Sequence, residues 1–469
     1  KLMDARQKLE YEYDFGSGYK NPVLDTMIRT RFGNAATLFN ISDAQRQDMW
    51  NLAISRGADW QKVMLRNAVT KTHEVTLAGG ADKFRYFFSL NKSDNEGVER
   101  ESYWNRIGGR LNMEYQANDW FKLGSNLGVT HTTDNVNREL FNGQAIYTSA
   151  MLLNPWEPEN GSDGQWNLTT LGQNALETAI RNPNVADRVA GFSTLFGEAK
   201  WFKHLTVRSQ LAMNYNTLSQ EYYLEPGSYL AAVLGYNQKR DNGNREFVYT
   251  WSNTANWNQT IAGDHNINIL GGTEFTKDKF YSYSLTARGF PTASVTTLEN
   301  GSTPTQATTS RYDWSLISYF ASAGYNYKKK YFLTLSGRRD GSSRFGKNNQ
   351  YANFWAVGGK WDIKSEDFLK VKQISTLQLR GSVGTSGNSN LGSTAAAQYL
   401  ALGTYTLAAN YNSQPAASPF QIANPNLTWE QNNNYDIGLE YGLFDNRLTG
   451  SIDYYYRKTN KLLYPVNIS

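Results

Sequence analysis

The chain has 469 residues, no cysteine, a formal net charge of +5 and 14% aromatic residues. Disulfides and thiolate metal sites are therefore excluded, and the basic residues are too scattered for a nucleic-acid patch, with no run beyond Lys328-Lys329-Lys330. No stretch approaches the run of about 18 apolar residues that a membrane-spanning helix needs, which leaves strands as the only means of crossing a bilayer.

In chain order, Lys1-Leu2-Met3 does not read as a natural start, so a piece of a longer protein is expected. Residues 3–10 and 42–56 read as helices, the second opened by Ser42-Asp43-Ala44-Gln45, a capping box. From about residue 70 the character changes to paired alternating runs. Periodicity predicts fourteen strands near 69–78, 83–93, 104–116, 120–133, 190–202, 205–219, 246–261, 265–285, 311–327, 331–340, 351–362, 376–385, 432–443 and 447–458. The last pair shows the pattern most plainly. Tyr435, Ile437, Leu439 and Tyr441 alternate with Asp436, Gly438, Glu440 and Gly442, and after Asp445-Asn446 the alternation restarts at Leu448. Each such strand has one apolar and one polar face.

The connections alternate between short and long. Short turns fall at 80–82, 118–119, 203–204, 263–264, 328–330 and 445–446, with a longer one near 363–375. Long loops fall at 134–189, 220–245, 286–310, 341–350 and 386–431. Sorting of this kind puts all turns on one rim and all loops on the other, as in an outer-membrane barrel, whereas a Greek-key sandwich has no reason for it. Aromatics crowd the turn ends, among them Trp120, Phe121, Trp201, Phe202, Tyr327, Tyr331, Trp361, Tyr441 and Phe444, as a girdle at a membrane interface requires. The fold class expected is all-β, a transmembrane antiparallel up-and-down barrel, with residues 1–68 as a helical passage into it and residues 69–469 as barrel wall and loops.

Catalytic motifs are absent. There is no H-E-x-x-H, Walker A, G-x-G-x-x-G or G-x-S-x-G. His73, His131, His204 and His265 show no metal spacing. No cofactor and no enzymatic activity are expected.

Several stretches carry a resemblance to a known family. "GADWQKVMLRNAVTKTHEVTLAGGADKFRYFFSLNKSDNEGVE", "YFLTLSGRRDGSSRFG", "FWAVGGKWDIKSEDFL", "LQLRGSVGTSGN" and "NPNLTWEQNNNYDIGLEYGLFDNRLTGSIDYYYRKTNKLL" resemble the SusC/RagA-type TonB-dependent outer-membrane transporters. The likeness covers most of residues 59 to 463, and the loops at 134–189 and 220–245 carry none of it. It implies a barrel of 22 strands with an N-terminal plug, of which this chain would be a central portion of about fourteen. It further implies active import of an oligosaccharide or oligopeptide, a SusD-like surface lipoprotein as lid, and energy from the TonB complex. The oligosaccharide is favoured, because of loop aromatics and many Asn and Gln.

Candidate substrate contacts are the loop aromatics Trp156, Trp166, Tyr222, Tyr223 and Tyr229, whose faces suit sugar rings, and the charged cluster Arg338, Arg339, Asp340 and Arg344. Packing of the loops on themselves, or contact with the lid, is the plainer alternative for the aromatics. A salt-bridge network inside the barrel is the plainer alternative for the charges. Asp436, Glu440, Asp453, Arg457 and Arg380 are expected to face the lumen. Two other readings stay open at this point, a passive porin-like barrel and a secreted carbohydrate-active β protein.

Overall fold

The computed structural model describes residues 3–15, 22–34, 36–37, 40–135, 146–160, 164–167, 174–392, 394–411 and 414–464. Of the first long loop, residues 136–145, 161–163 and 168–173 lie outside the described set. In chain order the strands are β1 (Thr70–Ala81), β2 (Phe84–Glu96), β3 (Tyr103–Asn118), β4 (Phe121–Asn135), β5 (Asn184–Trp201), β6 (Leu205–Leu224), β7 (Gln238–Ile261) and β8 (His265–Arg288). They continue with β9 (Thr303–Tyr327), β10 (Tyr331–Ser342), β11 (Tyr351–Asp362), β12 (Ile374–Asn388), β13 (Thr404–Tyr411), β14 (Gln414–Gln421), β15 (Glu430–Leu443) and β16 (Leu448–Asn460). Fourteen of them form one antiparallel meander in which each strand pairs with the next, β12 joining β15, and β13–β14 form a separate ribbon.

The turns of two to four residues all lie at one end of this sheet, together with the longer connection 363–373, while the six-residue turn 97–102 lies at the other end with the loops. Several are held tight by left-handed residues, among them Phe202 and Lys203, Lys328 and Lys329, and Phe444 to Asn446, all with φ between 51° and 61°. Long connections occupy the other end. Strands reach well past the expected boundaries on that side. β5 begins at Asn184, β7 at Gln238 and β9 at Thr303.

Register sorts the side chains. Leu335 faces Val357 and Ala323, and the row continues through Ile269, Trp257 and Leu205 to Trp201, apolar across seven strands. Leu333, Leu335, Ile269, Ile437 and Ile452 in this face are all exposed. The row reached from Arg338 runs through Phe320, Gly272, Thr254, Arg208, Glu198 and Lys122 on the opposite face. An exposed apolar face this extensive is incompatible with water and matches a hydrocarbon environment.

Two aromatic levels bound the apolar face. Near the turns, Tyr327, Tyr331 and Trp361 stack in sequence with ring centroids 6.5 Å apart. Tyr319, Tyr351, Trp355 and Tyr435, each 48–50% exposed, form the second level. Tyr319 and Tyr327 share β9, and the residues between them, at roughly 3.3 Å each and a tilt of about 40°, span about 20 Å, close to the apolar band of an outer-membrane wall.

The helical segment also has a definite place. The helix Asp43–Arg56 starts with the expected Ser42–Gln45 capping box. Three further helices, Ala5–Phe15, Pro22–Phe32 and Trp60–Met64, accompany it. Because the turn after β1 is short, Thr70 lies at the long-loop rim. The chain enters there, with Arg66 Nε donating to the Gly97 carbonyl at 2.9 Å. Residues 1–68, expected as a passage into the barrel, thus meet β1 from the loop rim, and their described part packs on the loop after β4.

Candidate functional site

The polar face is organised by cross-strand charge pairing. Lys122, Glu198 and Arg208 are directly opposite one another on β4, β5 and β6. Lys122 Nζ lies 3.7 Å from Glu198, and Arg208 lies 3.3 Å from its other oxygen. Phe196, two residues from Glu198 on the same face, has the Arg208 guanidinium 3.8 Å above its ring. The ring fills space that Gly124 leaves, since a Cβ there would sit 2.3 Å from Phe196. Phe196 is thus buried under the Arg208 guanidinium, and the charges of the triad form the surface of the wall here.

Arg338 anchors a second network. Its Nε donates to Asp340 at 2.6 Å, and its Nη2 reaches Ser318 at 2.7 Å and Glu274 at 3.4 Å. Arg380 forms a third, 2.6 Å from Asp453, 3.3 Å from Glu440 and 3.8 Å from Asp436. On β7 to β9, neutral carboxamides pair near the turns. Asn266 bonds Asn326 at 3.0 Å and Asn268 bonds Asn256 at 2.8 Å.

The charged cluster expected from "RRDGSSRFG" is not one cluster. Arg338 and Asp340 share the polar face. Arg339, one residue along, points through the opposite face, with its guanidinium 5.0 Å from the Tyr351 ring at the upper aromatic level. Arg344 lies in the loop after β10, 4.0 Å above the Trp314 ring, with Nη1 donating to the Ser389 carbonyl at 3.0 Å. Burial there holds its pKa below the ordinary arginine value.

The loop aromatics divide as well. Trp156 is 1% exposed and completes a core with Leu9, Ile28, Met49 and Ala53. Tyr222 packs on Leu224, Leu230 and Ala231, and Tyr223 packs edge-on against Phe290 at 5.7 Å. Tyr222 and Tyr223, expected in a loop, stand instead at the end of β6, which runs on above the membrane, and all three rings are packed into cores at the rim. Trp166 is half-buried in a bridge with Asn160. Tyr229 opens the helix Tyr229–Leu234, and its N–H donates to Glu177 at 3.0 Å.

That bond belongs to a lock between two loops. Arg181, in the helix Ala175–Arg181, bonds Glu177 at 3.2 Å, Glu225 at 2.7 Å, and the carbonyls of Pro226 and Gly227 at 3.0 and 2.7 Å. Glu177 is 1% exposed, and its burial raises the carboxyl pKa.

Sequence reasoning missed a site at the top of the polar face. Trp314 Nε1 donates to Asp278 at 2.7 Å, and Tyr312 stacks on Phe280 at 4.7 Å. The register Asp278–Trp314 and Phe280–Tyr312 carries the signal, since inward aromatics here sit opposite one another. Around it the same face carries Asn214, Asn216, Asn242, Asn244, Ser282, Ser284 and Ser310, a lining rich in neutral hydrogen-bonding groups. Among the described residues no group of three histidine or acidic side chains is placed to hold a metal.

Comparison with known proteins agrees with this architecture. Residues 137–469 match the family model described as TonB dependent receptor-like, beta-barrel. The chain is 28% identical to TonB-dependent receptor P26 of Formosa agariphila, over 87% of this chain and 42% of that protein. It is 27% identical to TonB-dependent receptor SusC of Bacteroides thetaiotaomicron, over 87% of this chain and 43% of that one. Its fold superimposes on the RagAB peptide transporter structure with a TM-score of 0.78 at 23% identity, covering all of this chain and 53% of that one. The chain thus spans about half the length of the relatives it matches. The polar face is the lumen wall and the apolar face meets the outer membrane, and the chain belongs to the TonB dependent receptor-like β-barrel family.

Proposed function

We propose that this chain forms the wall and outer mouth of an energised importer, which draws a large nutrient through the outer membrane with a SusD-like lipoprotein as lid. The supporting observation is the division of the molecule into a membrane-bounded wall, a wet charged lumen face, and a loop rim with its own packed cores. A wall with aromatic levels about 20 Å apart and loops on one rim serves passage. The TonB complex would supply the energy. No covalent step on the cargo is needed.

Oligosaccharide is the favoured cargo. The upper lumen lining of Asn and Ser side chains offers neutral donors and acceptors, with the half-buried Trp314 among them, which suits a polyhydroxylated chain. Of the residues first singled out, Arg338, Asp340 and Arg344 stand on or beside this lining, and Trp166 and Tyr229 stand in the loops above it. Oligopeptide is the second reading, supported by the likeness to the RagAB peptide transporter.

Uptake of fluorescent neutral oligosaccharides and of fluorescent oligopeptides into cells making the protein would be compared with and without a protonophore. Accumulation of the oligosaccharide that stops when the proton gradient collapses is the expected result. Entry indifferent to the gradient would make the protein a passive pore, and peptide-only accumulation would replace the cargo class.

A further inference from the structure

β9 outruns its partner. β10 ends at Ser342, opposite Leu316, while β9 continues upward to Thr303, paired only with β8. The upper half of β9 is therefore an edge. Its lower part is capped by the chain itself. Ser343 donates its N–H to the Ser315 carbonyl at 3.0 Å and accepts the Ser315 N–H on its hydroxyl at 2.9 Å. The Tyr399 hydroxyl accepts the Asp313 N–H at 3.1 Å.

Backbone groups of alternate residues point to the same side of an antiparallel strand. The caps at Ser315 and Asp313 therefore put Arg311, Thr309 and Ala307 on the free side. Among the described residues nothing bonds their N–H or C=O groups there. Thr303 to Thr309 are exposed. The edge is protected only at its tip, by Pro304 and the register shift beside Ala287. Uncovered edges with strand-forming residues such as Thr305, Thr308 and Thr309 recruit a further strand.

An apolar ribbon springs from the Tyr399 cap. The β13–β14 ribbon is rooted beside Tyr399, where the Gln421 amide donates to the carbonyls of Tyr399, Leu400 and Leu402. From that root it exposes Tyr405, Leu407, Phe420 and Ile422 by 65–76%. No Asp, Glu, Lys or Arg occurs from Gly381 to Trp429. An uncharged, apolar stretch can rest on this ribbon without stranding a charge, and Arg311 is the one charged residue from Ala307 to Arg311.

We propose that the β9 edge from Ala307 to Arg311 takes an extended, uncharged segment of the lid lipoprotein as an added strand, whose apolar side chains rest on the β13–β14 ribbon. This rests on the lid reading above. Donors and acceptors alternating at a two-residue spacing complement another extended backbone. An added strand would stand in the plane of the wall, directly above the end of β10, and would not enter the lumen. Cargo has to leave, so a seat outside its route belongs to a resident partner.

The complex would be isolated as it forms in outer membranes, and amide hydrogen exchange compared before and after the lipoprotein is stripped. The amides of Ala307, Thr309 and Arg311 are expected to exchange on the order of 100-fold more slowly in the complex. Thr309→Pro, which removes an edge donor without touching the β8 ladder, should release the lipoprotein, and Thr309→Val should retain it. Unchanged exchange of Thr308 and Ser310 would show that the Thr309→Pro hairpin is folded. Lipoprotein bound with the edge amides unprotected overturns this inference alone. Protection that persists after stripping and rises with protein concentration assigns the edge to a second copy and overturns it too. If no lipoprotein accompanies the protein, the lid reading fails and this inference with it.

Discussion

Arg338 and Arg339 are neighbours in the chain and stand on opposite sides of the membrane wall. Arg338 is tied to Asp340, Glu274 and Ser318 in the lumen, and Arg339 lies over Tyr351 at the upper membrane interface. Strand alternation alone produces this, and it gives two adjacent, identical residues unlike roles.

Arg338→Ala leaves Asp340 and Glu274 without their shared cation. The side chain is 37% exposed, so water softens the loss, and a destabilisation of about 1–2 kcal/mol is expected in denaturant titrations in vesicles. Arg339→Ala should stay within about 0.5 kcal/mol, since the guanidinium already meets headgroups and water. Equal losses would mean that the two side chains share one face.

Leu335 lies between the two aromatic levels on the lipid side. Leu335→Arg should cost about 2–4 kcal/mol, whereas Ser336→Arg, facing the lumen one residue on, should cost much less. Unfolding of both variants in vesicles of one lipid composition checks the difference.

The lock between the loops should respond to pH. Burial raises the Glu177 carboxyl pKa from its ordinary value of 4.5. A carboxyl raised on folding contributes stability that is full below the unfolded value and lost as pH rises through the folded value. Exchange at the helix Tyr229–Leu234 should therefore speed up as pH rises from about 4.5, after correction for intrinsic chemistry. In Glu177→Gln the slope should vanish, while Arg181→Ala should open both loops at every pH. A slope unchanged in Glu177→Gln would assign it to another group.

Trp156 fills the core of the helical segment from the loop after β4. Trp156→Ala should cost about 3–5 kcal/mol of local stability there, read as proteolysis of the helical segment. Cargo uptake should change only as far as that segment loosens. A loss of uptake with the helices intact would make Trp156 a cargo contact.

The wall was legible because its two faces meet different solvents. The alternation of Tyr435, Ile437 and Leu439 with Asp436, Gly438 and Glu440 is the chemistry of lipid on one side and water on the other. Where strands rise above the membrane both faces meet water, the alternation fades, and Asn184–Val189, Gln238–Arg245 and Thr303–Ser310 read as loop. The β13–β14 ribbon was hidden in the same way. Ser42 and Gln45 were readable because a capping box is local. The burial of Tyr222 and Tyr223 was not, because Leu230 and Phe290 meet them only through the fold. The split of Arg338 from Arg339 could have been read from parity, but their closeness in sequence suggested a single cluster.

The central claim is that apolar side chains of the wall face lipid and polar ones face a wet lumen. The chain has no cysteine, so single cysteines can be placed one at a time from Tyr435 to Glu440 and labelled with a nitroxide in outer-membrane vesicles. Labels at 435, 437 and 439 should collide chiefly with oxygen dissolved in lipid, and those at 436, 438 and 440 with a water-soluble nickel chelate. A signal of period two confirms the wall. Equal access of the chelate to all six positions would contradict it, and the importer would fall with it.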